Sequence, residues 1–350
     1  MRTVYSEDHR FQDADKELIE GELVKAHEMP RRADIVLDRI KATGLGDILA
    51  PQDIGLAPIL KVHDEGFVDF LRNAWSDWLK SGREFDALPH VWPVPGLLVP
   101  GRSRGSRISK SIDGRMGHYA IDAGTAITAG TWKAITSAVN VAMTGQKLVA
   151  SGERSVFALC RPPGHHAGSD FYGGYCFFNN AAIAAQGFRD AGAQRVAILD
   201  VDYHHGNGTQ QIFYDRGDVL TISLHSDPDQ EFPYYMGYAD EIGRGPGEGY
   251  HLNLPLPWGT TWGNYEAALQ QAMTRIRAYK AEVLVVSLGL DTFEQDPISR
   301  FKLTQDDYLR MGEIIAKADL PTLFVFEGGY AVEALGVNTV NVLRAFDQAA

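Results

Sequence analysis

The sequence has 350 residues, 45% of them hydrophobic and 22% charged, and its formal net charge at pH 7 is −12. This composition is typical of a globular protein with a large core. The negative charge argues against binding nucleic acid through a basic surface, although it would attract a small cationic substrate.

Strands and helices are predicted to alternate along the second half of the chain. Apolar runs predict strands at 155–160, 196–199, 219–224, 282–288 and 321–326. Helical segments are predicted between them at 179–190, 264–279 and 304–317, the last beginning with a threonine N-cap. This alternation predicts one α/β domain over 1–350, with a central, mostly parallel sheet and helices on both faces.

Residues 81–117 differ from the rest of the chain because they contain four prolines and a basic run from Arg102 to Arg107. A loop of this length inside a compact domain is usually either disordered or functional. The apolar segment 92–99 favours an ordered, packed loop. We therefore predict that this inserted loop contributes to a homodimer interface.

The two cysteines, Cys160 and Cys176, lie in apolar stretches and are too few for a disulfide framework. The N-terminus has no basic-then-apolar signal pattern, and no apolar run approaches the roughly 18 residues of a membrane span. These features predict a cytoplasmic protein without a membrane partner.

A metal site is indicated where the strand 196–199 ends in the run Asp200-Val-Asp-Tyr-His-His205. Side chains alternate along an extended chain, so Asp200, Asp202 and His204 share one face and His205 lies on the other. Carboxylate and imidazole ligands suit Zn²⁺, although Fe²⁺ or Co²⁺ could use the same set. In open α/β sheets, ligands bind beyond the carboxyl ends of the strands, which is where this run lies.

A third metal ligand could come from Asp291, which follows the strand 282–288 directly. The alternative is that Asp291 is a turn residue or a helix N-cap.

His165 and His166 follow a Pro-Pro-Gly turn and could be further ligands, acid–base groups or surface loop histidines. If they move protons, each needs a partner on its second ring nitrogen, and Asp200 and Asn207 are the natural candidates.

A tyrosine follows the strand 321–326, after Glu327-Gly-Gly. Two glycines allow a sharp bend that would bring the phenol of Tyr330 over the site, where its O–H could stabilise an oxyanion. A buried structural tyrosine is the alternative.

Taken together and in this order, the motifs resemble the histone deacetylase superfamily. They are Arg161-Pro-Pro-Gly-His-His166, Asp200-Val-Asp-Tyr-His-His-Gly-Asn-Gly208, Ser223-Leu-His225, Leu288-Gly-Leu-Asp291 and Glu327-Gly-Gly-Tyr330, with Met29-Pro-Arg-Arg32 near the start. Within the superfamily the chain looks most like the bacterial acetylpolyamine amidohydrolases.

The resemblance implies an arginase/deacetylase-like fold, one Zn²⁺ held by Asp202, His204 and Asp291, and catalysis by His165, His166 and Tyr330. It also implies that Gly174, Tyr175 and Phe232 wall a narrow acyl channel and that Arg32 lies near an internal acetate cavity. It further implies two structural potassium sites. The first is formed by Asp200, Asp202, His204, Ser223 and Leu224, and the second by Phe213, Arg216, Val219 and Tyr250.

Two positions depart from the family pattern. Asn207 stands where many members have aspartate, and Glu327 stands where the commoner motif has a third glycine.

The activity implied by the resemblance is hydrolysis of a cationic acetylated amine such as acetylputrescine or acetylcadaverine. One of Glu84, Asp86 and Asp113 is expected to meet the distal ammonium. The alternatives are an acetyl-lysine protein deacetylase and, more remotely, a non-catalytic acyl-ligand binding protein.

Overall fold

The computed structural model describes residues 1–94, 97 and 107–349. Its centre is an eight-stranded sheet in the order β4-β1-β5-β10-β9-β6-β7-β8, and every neighbouring pair is parallel. β2 and β3 form a separate antiparallel hairpin. The strands are β1 (Arg2–Val4), β2 (Lys16–Ile19), β3 (Glu22–Lys25), β4 (Ile48–Leu49), β5 (Ser155–Ala158), β6 (Val196–Asp200), β7 (Val219–Ser226), β8 (His251–Leu256), β9 (Val283–Leu288) and β10 (Thr322–Phe326).

Helices cover both faces of the sheet, so its central strands are apolar on both sides. In β5, Val156 and Ala158 pack into a core on one face, whereas Phe157 between them packs into the core on the other. The helices are α1 (Arg31–Thr43), α2 (Glu65–Lys80), α3 (Ile112–Tyr119), α4 (Thr131–Ala150), α5 (Asn180–Asp190), α6 (Asn207–Phe213), α7 (Trp262–Tyr279), α8 (Gln305–Ala316) and α9 (Val332–Ala349). Helices α2, α4 and α5 form the first core, and α1, α7, α8 and α9 form the second.

The predicted fold class is confirmed, and each of the five predicted strands and three predicted helices is present with shifted ends. The sequence patterns missed the strands β1, β4 and β8. β1 and β4 have only three and two residues, and β4 and β8 are the edge strands. Such elements depend on the neighbouring strand rather than on a strong local pattern.

The segment 81–117 is not a loop throughout, because α3 begins at Ile112 within it. Arg83 binds Asp113 with two hydrogen bonds of 2.6 and 3.0 Å, and the indole of Trp92 donates to the carbonyl of Ala120 at 3.1 Å. The described ends of this segment are therefore packed. Residues 95, 96 and 98–106, with half of the apolar segment 92–99 and most of the basic run, lie outside the described residues. The homodimer stays a prediction.

The strand order explains how the site is assembled. β5, β10, β9 and β6 are neighbours in the sheet, and their carboxyl ends lead into residues 161–166, 327–330, 289–291 and 201–205. Parallel strands end at the same edge of a sheet, so four segments from distant parts of the sequence meet there. Among the described helices, none is long and apolar enough to cross a membrane.

Candidate metal and catalytic site

Asp202, His204 and Asp291 converge at the carboxyl edge of the sheet. One potential ligand atom from each lies within 4.8 Å of the other two. The Nδ1 atom of His204 is 3.0 Å from Oδ2 of Asp291 and 3.4 Å from Oδ1 of Asp202. Both carboxylates are fully buried. Asp291 is therefore not an exposed turn residue.

Backbone amides orient the two carboxylates. Oδ2 of Asp202 accepts from the amide of Gly328 at 2.9 Å, and Oδ1 of Asp291 accepts from the amide of Tyr203 at 2.8 Å. Burial and the neighbouring Asp202 raise the pKa of Asp291 to about 7, as expected when two carboxylates share a small buried volume. A divalent cation would offset this repulsion, so the donor set fits a metal ion.

His165 and His166 form a buried pair beside this cluster, with ring centroids 4.0 Å apart. Nδ1 of His165 is 2.9 Å from Oδ2 of Asp200, and Nδ1 of His166 is 2.6 Å from Oδ1 of Asn207. Because both side chains are buried, they are not surface loop histidines. The partners are the ones expected from the sequence.

The surroundings of the two histidines separate their pKa values. Burial alone would lower the pKa of His165, but Asp202 and Asp200 raise it to about 10. For His166, burial together with His165 and His204 lowers the pKa well below its usual value. The carboxylates therefore favour the protonated form of His165, whereas the surroundings of His166 favour its neutral form.

Tyr330 is held over the site by a fixed turn. Gly329 has φ 123°, and a Cβ there would lie 2.7 Å from Leu335, so the turn requires glycine. Arg32 donates to the carbonyls of Glu327 and Gly329 at 2.6 and 2.7 Å, and its guanidinium lies 4.7 Å from the centre of the Tyr330 ring. Burial raises the pKa of Tyr330 well above 10, which keeps its phenol a neutral donor.

His166, His204 and Tyr330 line a pocket of about 530 Å³. The predicted channel residues Gly174, Tyr175 and Phe232 all line it, together with His166 and Tyr330. A Cβ at Gly174 would lie 2.2 Å from the His166 ring, so only glycine fits this position. Arg32 is not among the lining residues. It lies in α1, where it packs on the Tyr330 ring and binds the turn that carries the phenol.

Comparison with known proteins identifies the family. Residues 26–346 match the histone deacetylase domain. The chain belongs to the histone deacetylase family. This confirms the resemblance deduced from the motifs and shows that the chain is a hydrolytic deacetylase.

Several relatives resemble this member of the family along nearly its whole length. Acetylpolyamine amidohydrolase 2 of Pseudomonas aeruginosa is 60% identical over 347 residues, covering 99% of each chain. The acetylpolyamine amidohydrolase of Mycoplana ramosa is 50% identical over 344 residues, covering 98% of this chain and 99% of its own. The crystal structure of an acetylpolyamine aminohydrolase from Burkholderia pseudomallei superposes with a TM-score of 0.94 at 34% identity, covering 100% and 99% of the two chains.

Of the residues that the family resemblance assigns to the first potassium site, Asp202 and His204 also belong to the metal cluster. Asp200 and Ser223 line one small buried cavity, together with His205. In the second set, the carbonyl of Phe213 already accepts hydrogen bonds from the Arg216 amide at 2.8 Å and from His251 at 2.9 Å. These assignments stay predictions.

His205 is separated from the metal cluster. Its Nε2 atom is 3.0 Å from Oε1 of Gln210, and its ring centroid lies 4.5 Å from that of His225. It does not line the large pocket in the described part of the chain. This position agrees with a structural role for His205.

Sequence reasoning missed one wall of the pocket, which is formed by the β2–β3 hairpin and the residues after it. Leu18, Ile19, Glu20, Val24 and His27 line the pocket from this side. The only local signal is the Glu20-Gly21 pair between two short runs that each contain two apolar residues, since glycine is common in hairpin turns. Nothing in the sequence indicates that this hairpin lies against the metal cluster.

Proposed function

We propose that the chain is a zinc-dependent amidohydrolase that removes the acetyl group from acetylated polyamines and releases acetate and the free amine. The observation that carries this proposal is that the Asp202–His204–Asp291 cluster, the histidine pair and Tyr330 meet at one edge of the sheet, where His166, His204 and Tyr330 line one pocket. The substrate class is supported by relatives with 50% and 60% identity that are named acetylpolyamine amidohydrolases.

Asp202, His204 and Asp291 would hold one Zn²⁺ ion, which supplies Lewis acidity for the acetyl carbonyl and the attacking water. His166 is the general base. Because Oδ1 of Asn207 is an acceptor, Nδ1 of His166 carries the hydrogen and Nε2 is free to take a proton from water. The same Nε2 then protonates the leaving amine.

His165 and Tyr330 stabilise charge in this scheme. Asp200, whose Oδ2 atom lies 2.9 Å from Nδ1, favours the protonated form of His165, which acts as an electrostatic partner rather than as the base. The neutral phenol of Tyr330 donates a hydrogen bond to the oxyanion that forms from the acetyl carbonyl.

We also propose that the enzyme works in the cytoplasm as a homodimer, with one Zn²⁺ and structural K⁺ in each subunit. The packing of Arg83 and Trp92 at the described ends of the 81–117 segment supports an ordered contact surface there. Asp200 and Ser223, at the wall of one buried cavity, offer oxygen ligands that suit K⁺.

The predicted contacts of Glu84, Asp86 and Asp113 with the distal ammonium need correction, because none of the three lines the pocket in this chain. Asp113 is bound to Arg83 through both of its oxygens, and Asp86 accepts from the amide of Asp15 at 2.9 Å. These local partners, which the composition could not reveal, hold both carboxylates elsewhere.

Glu20 and Glu231 line the pocket instead. Glu20 lies in the turn of the hairpin and is exposed. Glu231 accepts from the hydroxyl of Tyr203 at 2.7 Å and from the amide of Phe232 at 3.1 Å. Within the described ranges, neither carboxylate forms an ion pair with the protein, so both are available to a substrate ammonium.

We predict that replacing both carboxylates (Glu20→Gln with Glu231→Gln) lowers kcat/KM for acetylcadaverine about 3- to 10-fold, because each exposed ion pair is worth up to about 1 kcal/mol. The ratio of kcat/KM for acetylcadaverine to that for the neutral analogue N-acetylpentylamine should fall by the same factor. Glu22→Gln is the matched control, because this exposed residue of the same hairpin does not line the pocket. An unchanged ratio in the double variant would contradict the assignment.

The proposed function itself is tested by comparing kcat/KM for acetylcadaverine, acetylputrescine and an acetyl-lysine peptide. We expect the small acetylated amines to be the better substrates, because aromatic side chains wall the pocket. A preference for the peptide would instead support the protein deacetylase. Metal binding without turnover of any acetylated amine would support an acyl-ligand binding protein.

We predict that Asn207→Asp moves the acidic limb of the pH profile of kcat/KM to higher pH. A carboxylate 2.6 Å from Nδ1 would stabilise the imidazolium and raise the pKa of His166. The base would then be protonated over a wider acidic range, and activity would be lost at a higher pH. An unmoved limb would show that His166 is not the group that titrates.

A further inference from the structure

Glu327 is fully buried and is not used in the scheme above. Its Oε2 atom accepts from the amide of Gly164 at 2.6 Å and from the amide of His165 at 3.2 Å. Its other oxygen, Oε1, lies 3.4 Å from the hydroxyl of Ser287. One carboxylate oxygen thus holds two consecutive peptide groups of the turn that carries the histidine pair.

The main chain of Glu327 belongs to the turn that carries Tyr330. Its amide donates to the carbonyl of Leu288 at 3.0 Å, and its carbonyl accepts from Arg32 at 2.6 Å. The next residue, Gly328, donates its amide to Asp202. The backbone of Glu327 is therefore fixed to the Tyr330 turn and the metal cluster, while its side chain is fixed to the histidine turn.

We infer that Glu327 is a positioning residue that sets the His165–His166 pair relative to Tyr330. The inference rests on the proposed function, because it concerns the same reaction. The base and the oxyanion donor lie on different strand ends, and Glu327 is the side chain that joins the two turns by hydrogen bonds. An error of about 1 Å in the placement of reacting groups can cost about 100-fold in rate.

A second metal site is the competing explanation, since ligand atoms of His165, Cys176 and Glu327 lie within 4.8 Å of one another. The contacts oppose it. Oε2 of Glu327 is occupied by two amide hydrogens, and the thiol of Cys176 lies 3.3 Å from the carbonyl of Gly174 and donates to it. Burial raises the pKa of this thiol, which disfavours the thiolate that a metal requires.

Two substitutions separate the hydrogen bonds from the charge. Glu327→Ala removes the acceptor and should lower kcat for acetylcadaverine about 10- to 100-fold with KM changed less than about 3-fold, because the histidine pair loses its position. Glu327→Gln keeps one oxygen that can accept from both amides, so it should retain at least about a third of the wild-type kcat. Ser287→Ala is the control, because it removes only the contact to Oε1.

Imidazole NMR resonances of His165 and His166, recorded on the same metal-loaded samples, give a readout independent of turnover. We expect them to move in Glu327→Ala and to stay close to wild type in Glu327→Gln. Unmoved resonances or near-normal kcat in the alanine variant would overturn the inference. If the alanine variant does not fold, the inference would be overturned by a glutamine variant that folds but loses most of its kcat. A wild-type protein inactive on every acetylated amine would refute the proposed function, and the resonances alone would then decide the role of Glu327.

Discussion

Replacing Tyr330 by phenylalanine is expected to lower kcat for acetylcadaverine about 100- to 1,000-fold, the usual cost of removing one oxyanion donor. The ring should stay in place, because Arg32 holds both carbonyls of the turn and packs on the ring face. KM should change little, since the hydrogen bond forms with the oxyanion rather than with the ground-state carbonyl. Steady-state kinetics measures kcat and KM, and elemental analysis of the same samples measures the metal content.

The control for this substitution is Tyr234→Phe. Tyr234 also lines the pocket, but it is 49% exposed, away from the buried cluster that Tyr330 faces. Removal of its hydroxyl should leave kcat within about 3-fold of wild type, as for other exposed polar groups. Near-normal turnover of Tyr330→Phe, with its metal retained, would exclude the proposed role of the phenol.

Replacing Asp291 by asparagine is expected to remove the metal ion and the activity together. The amide keeps an oxygen that can accept from the Tyr203 amide at the present 2.8 Å, so the fold should persist. Loss of the anionic ligand should lower metal affinity by on the order of 100-fold or more, since even residues that only orient a ligand contribute about 10- to 100-fold. Added Zn²⁺ should reactivate chelator-treated wild type but not the variant.

In the absence of metal, the Asp291→Asn variant should be more stable than the wild type. In the absence of metal, the pKa of Asp291 is raised to about 7, well above the unfolded value near 4. The folded state then binds more protons than the unfolded state, so its stability falls as pH rises from about 4 towards 7. Asparagine cannot ionise, and near neutral pH the metal-free variant should therefore have a higher Tm than the metal-free wild type.

Asp240→Asn serves as the control for both measurements, because this aspartate is exposed and distant from the cluster in sequence and contacts. It should leave both metal content and Tm unchanged. Full metal occupancy in Asp291→Asn would show that Asp291 is not the ligand proposed here. A lower Tm of its metal-free form would show that the ionised carboxylate does not destabilise the metal-free fold.

The sequence alone was sufficient for the fold class and for predicting which residues meet at the candidate site. Long apolar runs such as Val196–Asp200 and Val283–Leu288 predict buried parallel strands, because a strand covered on both faces has no polar side. The polar residues directly after those runs lie at one edge of the sheet for the same geometrical reason. This argument located Asp202, His204, Asp291 and Tyr330 without any knowledge of the strand order.

The tertiary structure decided everything that depends on contacts between distant segments. The bond from the Gly164 amide to Glu327 spans 163 residues, and Arg32 reaches Gly329 over 297 residues. The approach of the β2–β3 hairpin to the pocket and the presence of Glu20 and Glu231 in its lining are of the same kind. No local pattern encodes such contacts, because they arise from packing after the chain has folded. The sequence alone thus predicted the proposed reacting groups, and only the fold decided which contacts hold them and which other side chains line the pocket.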